Sequence, residues 1–220
     1  MRAEERAVRK ARPLIFSASM VRAILAGTKT QTRRLVKKQN SCVDGQPCNF
    51  WSELDFNDAF VDPGPSPAGN PGPYLKVARP TEESRHRVYP RVQPGDLIWC
   101  KETWGPCAGG LVFRADDAGS VVSCPDGGKW RSSMFMPRWA SRITLEITEA
   151  RVERLQDISE EDALAEGVDP YECPSGPATP DARSAYAELW DRLNKDRCPW
   201  SASPWVWIIS FKRVDTEAAQ

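Results

Sequence analysis

The sequence predicts a mixed α+β fold in which short strands form a barrel flanked by a few short helices. The first observation is the alternation of apolar and polar residues, which is typical of a half-buried strand and is clearest over residues 142–148. The second is that helical spacing of apolar residues is confined to three short segments. Strands do not alternate with long helices, so the pattern favours a barrel over a parallel sheet.

The first predicted elements are a strand, a helix and an extended segment. Residues 14–16 are apolar and follow Pro13, as expected of a short buried strand. Ser19 is a suitable N-cap for the next helix, and Gly27 is a suitable C-terminal stop. Residues 28–35 alternate in character and contain several threonines, which indicates an extended conformation.

Proline and glycine interrupt the next part of the chain. Residues 39–80 include the run VDPGPSPAGNPGP, which cannot hold a regular element. We therefore predict an irregular insertion loop, with residues 62–73 at the surface. The elements predicted after it are an ordered segment at 85–92, a turn at Pro94 and Gly95, and strands at 96–104 and 109–115.

Two helices and two strands are predicted in the C-terminal third. The strand at 142–148 precedes a helix over 159–166, in which Ser159 is the N-cap, Asp162 occupies the capping-box position and Gly167 is the stop. The last helix and the closing strand are defined by their apolar positions, which are Tyr186, Leu189, Trp190 and Leu193 in the helix and Trp205, Trp207, Ile209 and Phe211 in the strand.

These elements indicate one domain over residues 14–214, with a basic leader at 1–13 and a tail at 215–220. The predicted insertions in this domain are at about 39–84, 105–137 and 169–200.

The formal net charge is zero, which excludes a globally basic nucleic-acid-binding protein. The charge is uneven, because residues 1–38 hold eleven Lys/Arg and two Glu, whereas residues 146–191 hold thirteen Asp/Glu and three Arg. Such asymmetry can form one positive face on a neutral molecule. Mutual neutralisation of the two regions in the fold is the alternative, and both stay open.

Several kinds of protein and site are disfavoured. No apolar run approaches the ~20 residues of a membrane span, and the N-terminal residues lack the apolar segment of a secretory signal, so a cytoplasmic protein is expected. Seven cysteines occur without a CxxC pair. Cys42 and Cys48, with His86, come nearest to a metal site, but we expect neither a metal nor a cofactor. Because His86 is the only histidine, hydrolytic chemistry requires Lys, Thr, Ser, Cys or a carboxylate.

Four segments carry a resemblance to a known family. They are ILAGTKTQTRR at 24–34, PGDLIW and KETW within 94–104, LQDISEEDALAEGV at 155–168, and the strand at 204–214. Their character and order resemble the ASCH family of the PUA-like superfamily, and the length of the chain resembles members found in phages and prophages. The resemblance covers about half of the chain. It implies a PUA-like mixed β-barrel with short flanking helices and long loop insertions.

The resemblance also implies a catalytic set. Small bacterial ASCH proteins include amidohydrolases that remove the acyl group from N4-acetylcytidine with a Lys, a Thr three residues later and a Glu on the acidic helix. The matching positions are Lys29, Thr32 and Glu166. A desolvated Lys can activate a Thr hydroxyl by removing its proton. The Glu could hold the Lys, pass a proton to the leaving amine or orient water.

Other interpretations stay open. Lys29 and Glu166 could form a structural salt bridge, with Thr32 an ordinary strand residue. Arg33 and Arg34 suit phosphate contacts, which favours a non-catalytic module that recognises a modified or single-stranded base in RNA or DNA. A metal-independent ribonuclease is a third interpretation. The expected partner is a nucleoside or a single-stranded nucleic acid, and the oligomeric state is left open.

A second group of candidate binding residues combines aromatic and charged side chains. Its members are Lys101, Glu102, Trp104, Arg138 and Trp139. Aromatic faces beside cations suit base stacking and backbone contacts. A carboxylate such as Glu102 can accept a hydrogen bond from the amino group of cytosine, although it could also be a surface strand residue. Because strand tryptophans commonly belong to the core, we expect burial of at least two among Trp99, Trp104, Trp130 and Trp139.

Overall fold

The computed structural model describes residues 10–36, 55–65, 72–79, 82–107, 109–116, 129–169, 181–194 and 196–214. Strands dominate these residues and a few helices accompany them, which confirms the mixed α+β class. The α-helices are α1 (Ala18–Ala26), α2 (Glu160–Ala165) and α3 (Ala182–Asn194). The strands are β1 (Ala11–Ile15), β2 (Gln31–Leu35), β3 (Asp55–Asp62), β4 (Tyr74–Arg79), β5 (Glu82–Val88), β6 (Leu97–Lys101), β7 (Trp104–Cys107), β8 (Gly110–Phe113), β9 (Thr144–Arg154) and β10 (Trp205–Val214).

The strands form three sheets, with the orders β1-β6-β9-β10-β2, β3-β4-β5 and β7-β8. In the described ranges the five-stranded sheet is open, with β1 at one edge and β2 at the other. The chain divides into two compact units, and β9 and β10 contribute residues to both. Unit 1 comprises Met1–Thr30, Pro94–Thr148 and Phe211–Gln220, and unit 2 comprises Gln31–Gln93 and Glu149–Ser210.

Unit 1 is built on β1, β6 and the first part of β9. β1 pairs in parallel with β6, and β6 pairs antiparallel with β9. Ile143, Leu145 and Ile147 are almost fully buried. Between them, Thr144 is also buried and Glu146 is half-buried. The strand predicted at 142–148 is therefore confirmed, and its apolar face forms part of the core of this unit.

The cap of α1 differs from the prediction. Ser17 Oγ accepts a hydrogen bond from the backbone N–H of Met20 at 3.3 Å, whereas Ser19 lies inside the first turn. A cap residue needs extended backbone before the helix, so that its oxygen reaches the first free N–H groups, and Ser17 has that conformation. The assignment of Ser19 is therefore wrong. Gly27 ends the helix as predicted, with a left-handed φ of 78°.

Unit 2 contains a sheet where the sequence predicted a loop. β3 and β4 lie within the predicted insertion at 39–84, so the expectation of an irregular segment is wrong there. Leu75 and Val77 of β4 have no exposed surface, and this burial supplies the stabilisation that an exposed loop would lack. The predicted surface loop at 62–73 holds where it is described, since residues 63–65 and 72–73 connect the strands and are exposed or half-buried.

Residues Trp205–Ile209 of β10 are buried on both faces of the strand. β2 pairs antiparallel with β10, and Trp205–Ile209 of β10 are all buried rather than alternating as predicted. The reason is that Trp205 and Trp207 pack with β4, whereas Val206 packs with α2 and α3. α3 buries Tyr186 and Trp190 as expected, but Leu193 is 52% exposed, which corrects its predicted place on the buried face.

Candidate functional site

β2 directs neighbouring side chains to opposite faces, because side chains alternate along a strand. Gln31 and Arg33 lie on the face that contacts α2, where Gln31 Nε2 donates to the carbonyl oxygen of Asp162 at 2.7 Å. Thr32 and the half-buried Arg34 lie on the other face. On that face, Val36 directly after β2 belongs to one core cluster with the tryptophans of β10, and Trp207 lies opposite Arg34 in the strand pairing.

Arg33 is bound by three carboxylates within unit 2. Its Nη2 donates to Glu153 at 2.7 Å and to Asp162 at 2.9 Å, and its Nη1 donates to Glu166 at 3.3 Å. The ring of Tyr186 lies 5.8 Å from Arg33 Cζ, and the Arg33 side chain has 0% exposed surface. The guanidinium is therefore engaged inside the unit and is not presented to a phosphate, in contrast to its expected contact.

The electrostatics of this cluster favour the ionised form of Asp162. Burial opposes its ionisation, but hydrogen bonds from Gln31 and Arg151 and the charges of Arg151 and Arg33 outweigh burial, so the pKa of Asp162 is lowered. Burial, reinforced by the charge of Glu166, raises the pKa of Tyr186 well above its ordinary value. The phenol is therefore neutral, and two arginines face three carboxylates.

α2 positions Glu166 at its C-terminal end. Ser159 Oγ accepts a hydrogen bond from the backbone N–H of Asp162 at 3.1 Å, so the predicted N-cap is confirmed. Three acidic residues occupy the first turn, where the helix dipole favours negative charge. Gly167 follows with a φ of 78° and ends the helix as predicted.

The three residues of the implied catalytic set are all buried. Lys29 is 2% exposed, and Thr32 and Glu166 are each 3% exposed. Lys29 belongs to unit 1, whereas Thr32 and Glu166 belong to unit 2. Arg33 is bonded directly to Glu166, while Thr32 points to the opposite face of β2. Convergence of Lys29, Thr32 and Glu166 on one substrate stays a prediction.

Glu102 is a second buried carboxylate among the predicted residues. It is 1% exposed, and its two oxygens accept from Arg142 at 3.0 and 3.1 Å. Asp116 binds the same guanidinium at 2.8 Å, and the ring of Phe113 lies 4.0 Å from Arg142 Cζ. Burial raises the pKa of Glu102, and Arg142 offsets this only in part. The alternative of a surface strand residue is therefore wrong.

The tryptophans of unit 1 range from buried to exposed. Trp104 is 2% exposed and Trp139 is 73% exposed, and their rings meet edge to face at a centroid distance of 5.8 Å. Trp99 and Trp130 are half-buried. The expectation that at least two of the four are buried is therefore wrong. Trp139 lies in a single 3-10 turn, Arg138–Ala140. So short an element cannot cover both faces of the Trp139 ring.

Cations lie over the faces of three of these rings, and one of them is Arg114, whose Cζ is 5.5 Å from the ring centroid of Trp130. Lys101 Nζ is 5.6 Å and Arg138 Cζ is 5.9 Å from the ring centroid of Trp99. Arg131 Cζ is 5.0 Å from the centroid of Trp104. Lys101 also donates to the carbonyl oxygen of Met134, and Arg138 Nη2 donates to Thr144 Oγ1 at 3.1 Å. Lys101 and Arg138 therefore lie beside Trp99, whereas nucleic-acid binding by the predicted residues of this group stays a prediction.

Some residues of these clusters were missed by the sequence analysis. Asp162 was considered only as a capping residue, although its spacing of four from Glu166 places both carboxylates on one side of α2. That spacing was a usable signal. Arg142 had no local signal, because its partners lie 26 and 40 residues away in the chain. Tyr186 had none either, because its partner Arg33 lies on a different element.

Within the described ranges, no group of three or more His, Cys, Asp or Glu side chains is placed to hold a metal ion. Cys42 and Cys48 lie outside those ranges. None of the described helices is long and apolar enough to cross a membrane. The chain matches no family model, no curated protein and no solved structure.

Proposed function

We propose that this chain is an ASCH-type protein that hydrolyses the amide of an N4-acylated cytosine. The observation that supports the proposal is the burial of Lys29, Thr32 and Glu166, none of which is more than 3% exposed. Burial of an amine, a hydroxyl and a carboxylate is unfavourable unless each has a defined partner. Buried ionisable residues accordingly concentrate at functional sites.

In the proposed reaction, the Thr32 hydroxyl oxygen attacks the acyl carbonyl carbon. Lys29, as the base, takes the hydroxyl proton as the new C–O bond forms. The bond between the acyl carbon and N4 breaks when Lys29 passes that proton to N4, and cytosine leaves with a free amino group. Water then hydrolyses the Thr32 ester, which releases the acid and restores the hydroxyl. This route uses no metal and no cofactor.

Arg33 has a positioning role in this scheme. Its hydrogen bond restricts the orientation of the Glu166 carboxylate, and the same guanidinium is itself fixed by Glu153 and Asp162. A carboxylate held in this way loses little freedom when it stabilises the positive charge that Lys29 gains, which favours the reaction.

The proposal includes closure of the five-stranded sheet into a PUA-like barrel. Three of the four segments that carry the resemblance contribute strands β2, β6 and β10, and the fourth contributes α2. They thus supply strands of the largest sheet and the helix that holds Glu166. A crystal structure that lacks hydrogen bonds closing this sheet into a barrel would contradict the proposed closure.

Deacylation of N4-acetylcytidine is the direct test. Purified protein is incubated with the nucleoside, and chromatography measures the cytidine released. We predict that Lys29→Ala and Thr32→Ala each abolish turnover and that the double variant is hardly worse, because members of a catalytic unit are not additive. Thr32→Ser should retain some activity, since it keeps the hydroxyl.

Thr144→Ala is the matched control. Thr144 is also a buried strand threonine, 4% exposed, but it belongs to β9, so its substitution should leave turnover intact. Absence of cytidine release by the wild-type protein, or full activity of Thr32→Ala, would contradict the proposed function.

A further inference from the structure

Unit 1 exposes an aromatic surface that the proposed chemistry does not use. Phe135 is 77% exposed, Trp139 is 73% exposed and Met134 is 62% exposed. Large apolar side chains grouped at a surface forgo the stabilisation of burial, and such patches mark interaction sites. We call Arg131, Met134, Phe135, Arg138 and Trp139 the Trp139 surface.

The segment that carries the Trp139 surface contains basic residues and no acidic ones, although one of its cations, Arg142, is paired with Glu102 and Asp116. Residues 129–142 contain four Lys/Arg and no Asp/Glu, and Arg131 and Arg138 are both exposed. Arg131 and Trp139 contact the same buried ring, that of Trp104, so a guanidinium and an exposed indole lie close together. This arrangement selects a partner that carries negative charge and flat apolar groups.

The backbone beneath the Trp139 surface is tied to the strands of unit 1. Trp104 and Arg131 exchange backbone hydrogen bonds of 3.3 and 2.7 Å. Lys101 Nζ donates to the carbonyl oxygen of Met134, and Ser132 Oγ accepts from the backbone N–H of Met134 at 3.3 Å. The aromatic groups therefore project from a positioned backbone, which reduces the entropy lost on binding.

We infer that the Trp139 surface binds a single-stranded nucleic acid. Bases stack on Trp139 and Phe135, and Arg131 and Arg138 contact the phosphates between them. A strand meets both requirements of the surface, because each base has an apolar face and each linkage carries a negative charge. Strand binding is an activity beyond the proposed hydrolysis. The identity of the target base in that strand, an acylated cytosine, rests on the proposed function.

Fluorescence anisotropy tests the inference with labelled cytidine-rich RNA of about 12 nucleotides, the matching DNA and the matching duplex. The wild-type protein should bind single strands more tightly than the duplex, and the RNA and DNA arms identify which strand is preferred. Trp139→Ala and Phe135→Ala should each weaken binding by about tenfold, the loss expected for one base–aromatic stack. Leu193→Ala is the matched control, because it removes a side chain that is 52% exposed on α3.

Three results would overturn the inference. They are absence of strand binding by the wild-type protein, equal affinity for single strand and duplex, and unchanged binding by both Trp139→Ala and Phe135→Ala. Light scattering adds a fourth, namely a wild-type oligomer that becomes monomeric in Trp139→Ala, since the surface would then join copies of the chain. Deacylation of free N4-acetylcytidine is measured separately, so its absence with strand binding intact would remove only the proposed function.

Discussion

Arg33 is removed from water and held by three carboxylates beside an aromatic ring. Burial by itself lowers the pKa of Arg33, because it disfavours the charged guanidinium. The charge of Glu166 and the hydrogen bond to Glu153 outweigh this effect and raise the pKa, so the side chain stays charged although it is buried. The balance depends on all members, since a buried carboxylate without its cation is strongly unfavourable. At the scale of single residues, Arg33 thus fixes one carboxylate oxygen of Glu166.

Substitution of Arg33 should be costly to stability. We predict that Arg33→Ala lowers the free energy of unfolding by about 3–5 kcal/mol, as measured by urea denaturation, because it leaves the buried carboxylate of Glu166 without the Arg33 guanidinium. Arg33→Lys should lose less, since it keeps the charge but lacks the planar fork that binds two carboxylates at once. The exposed Arg91 provides the control, for which Arg91→Ala should change stability by less than about 0.5 kcal/mol. Equal effects at the two positions would refute the ion cluster.

Glu102 gives a prediction for pH. Because burial raises its pKa in the folded state, its contribution to stability is fully present below the pKa of an unfolded Glu, about 4.3. That contribution is lost as the pH rises through the raised folded value. Glu102→Gln is neutral at every pH, so its stability deficit relative to wild type should be larger near pH 4 than near pH 7. Urea unfolding of both proteins at both pH values checks the sign, and a deficit that grows towards neutrality would contradict it.

At the scale of elements, the connection between β3 and β4 is held by polar contacts and by close backbone packing. Asp62 accepts hydrogen bonds from the backbone N–H of Gly64 at 3.1 Å, from Tyr74 Oη at 2.8 Å and from Lys76 Nζ at 2.7 Å. The bonds from Lys76 and Tyr74 lower the pKa of Asp62 to about 2. The carboxylate therefore stays ionised above that pH and keeps the two strand ends together.

The same connection requires glycine at position 72. A Cβ atom there would lie 2.3 Å from the carbonyl oxygen of Gly64 and 2.5 Å from that of Pro63, and backbone atoms cannot move aside as a flexible side chain can. We predict that Gly72→Ala destabilises the protein by about 1–3 kcal/mol, seen as a lower Tm. Gly109 is the matched control, because a Cβ there meets no atom within 4 Å. Similar Tm values for Gly72→Ala and Gly109→Ala would show that the connection can relax.

At the scale of the whole molecule, the features that the sequence predicted correctly are those set by near neighbours. The end of α1 at Gly27 and the cap of α2 at Ser159 depend on backbone groups within a few residues. The alternation in the first half of β9 depends on a period of two. Helix caps and apolar periodicity depend only on residues that are close together in the chain, so the sequence alone reveals them.

The features that were missed depend on residues far apart in the chain. Arg33 is separated from Glu153 and Glu166 by 120 and 133 residues, and no local pattern distinguishes an internal ion pair from a phosphate contact. β4 has only a short apolar pattern around Leu75 and Val77 beside a run of Pro and Gly, so its burial was not evident. The candidate catalytic residues came from the resemblance, because their spacing alone indicates no chemistry.

The position of β10 has a consequence for the time at which the protein folds during its synthesis. β10 follows every other described element, yet β2 finds its antiparallel partner there, and Phe16 finds the ring of Phe211. Segments made early commonly fold before later ones emerge from the ribosome. In this chain the early segments of both units must wait, because each needs part of a strand made after them. The nascent chain therefore carries β2 without its antiparallel partner until β10 is complete.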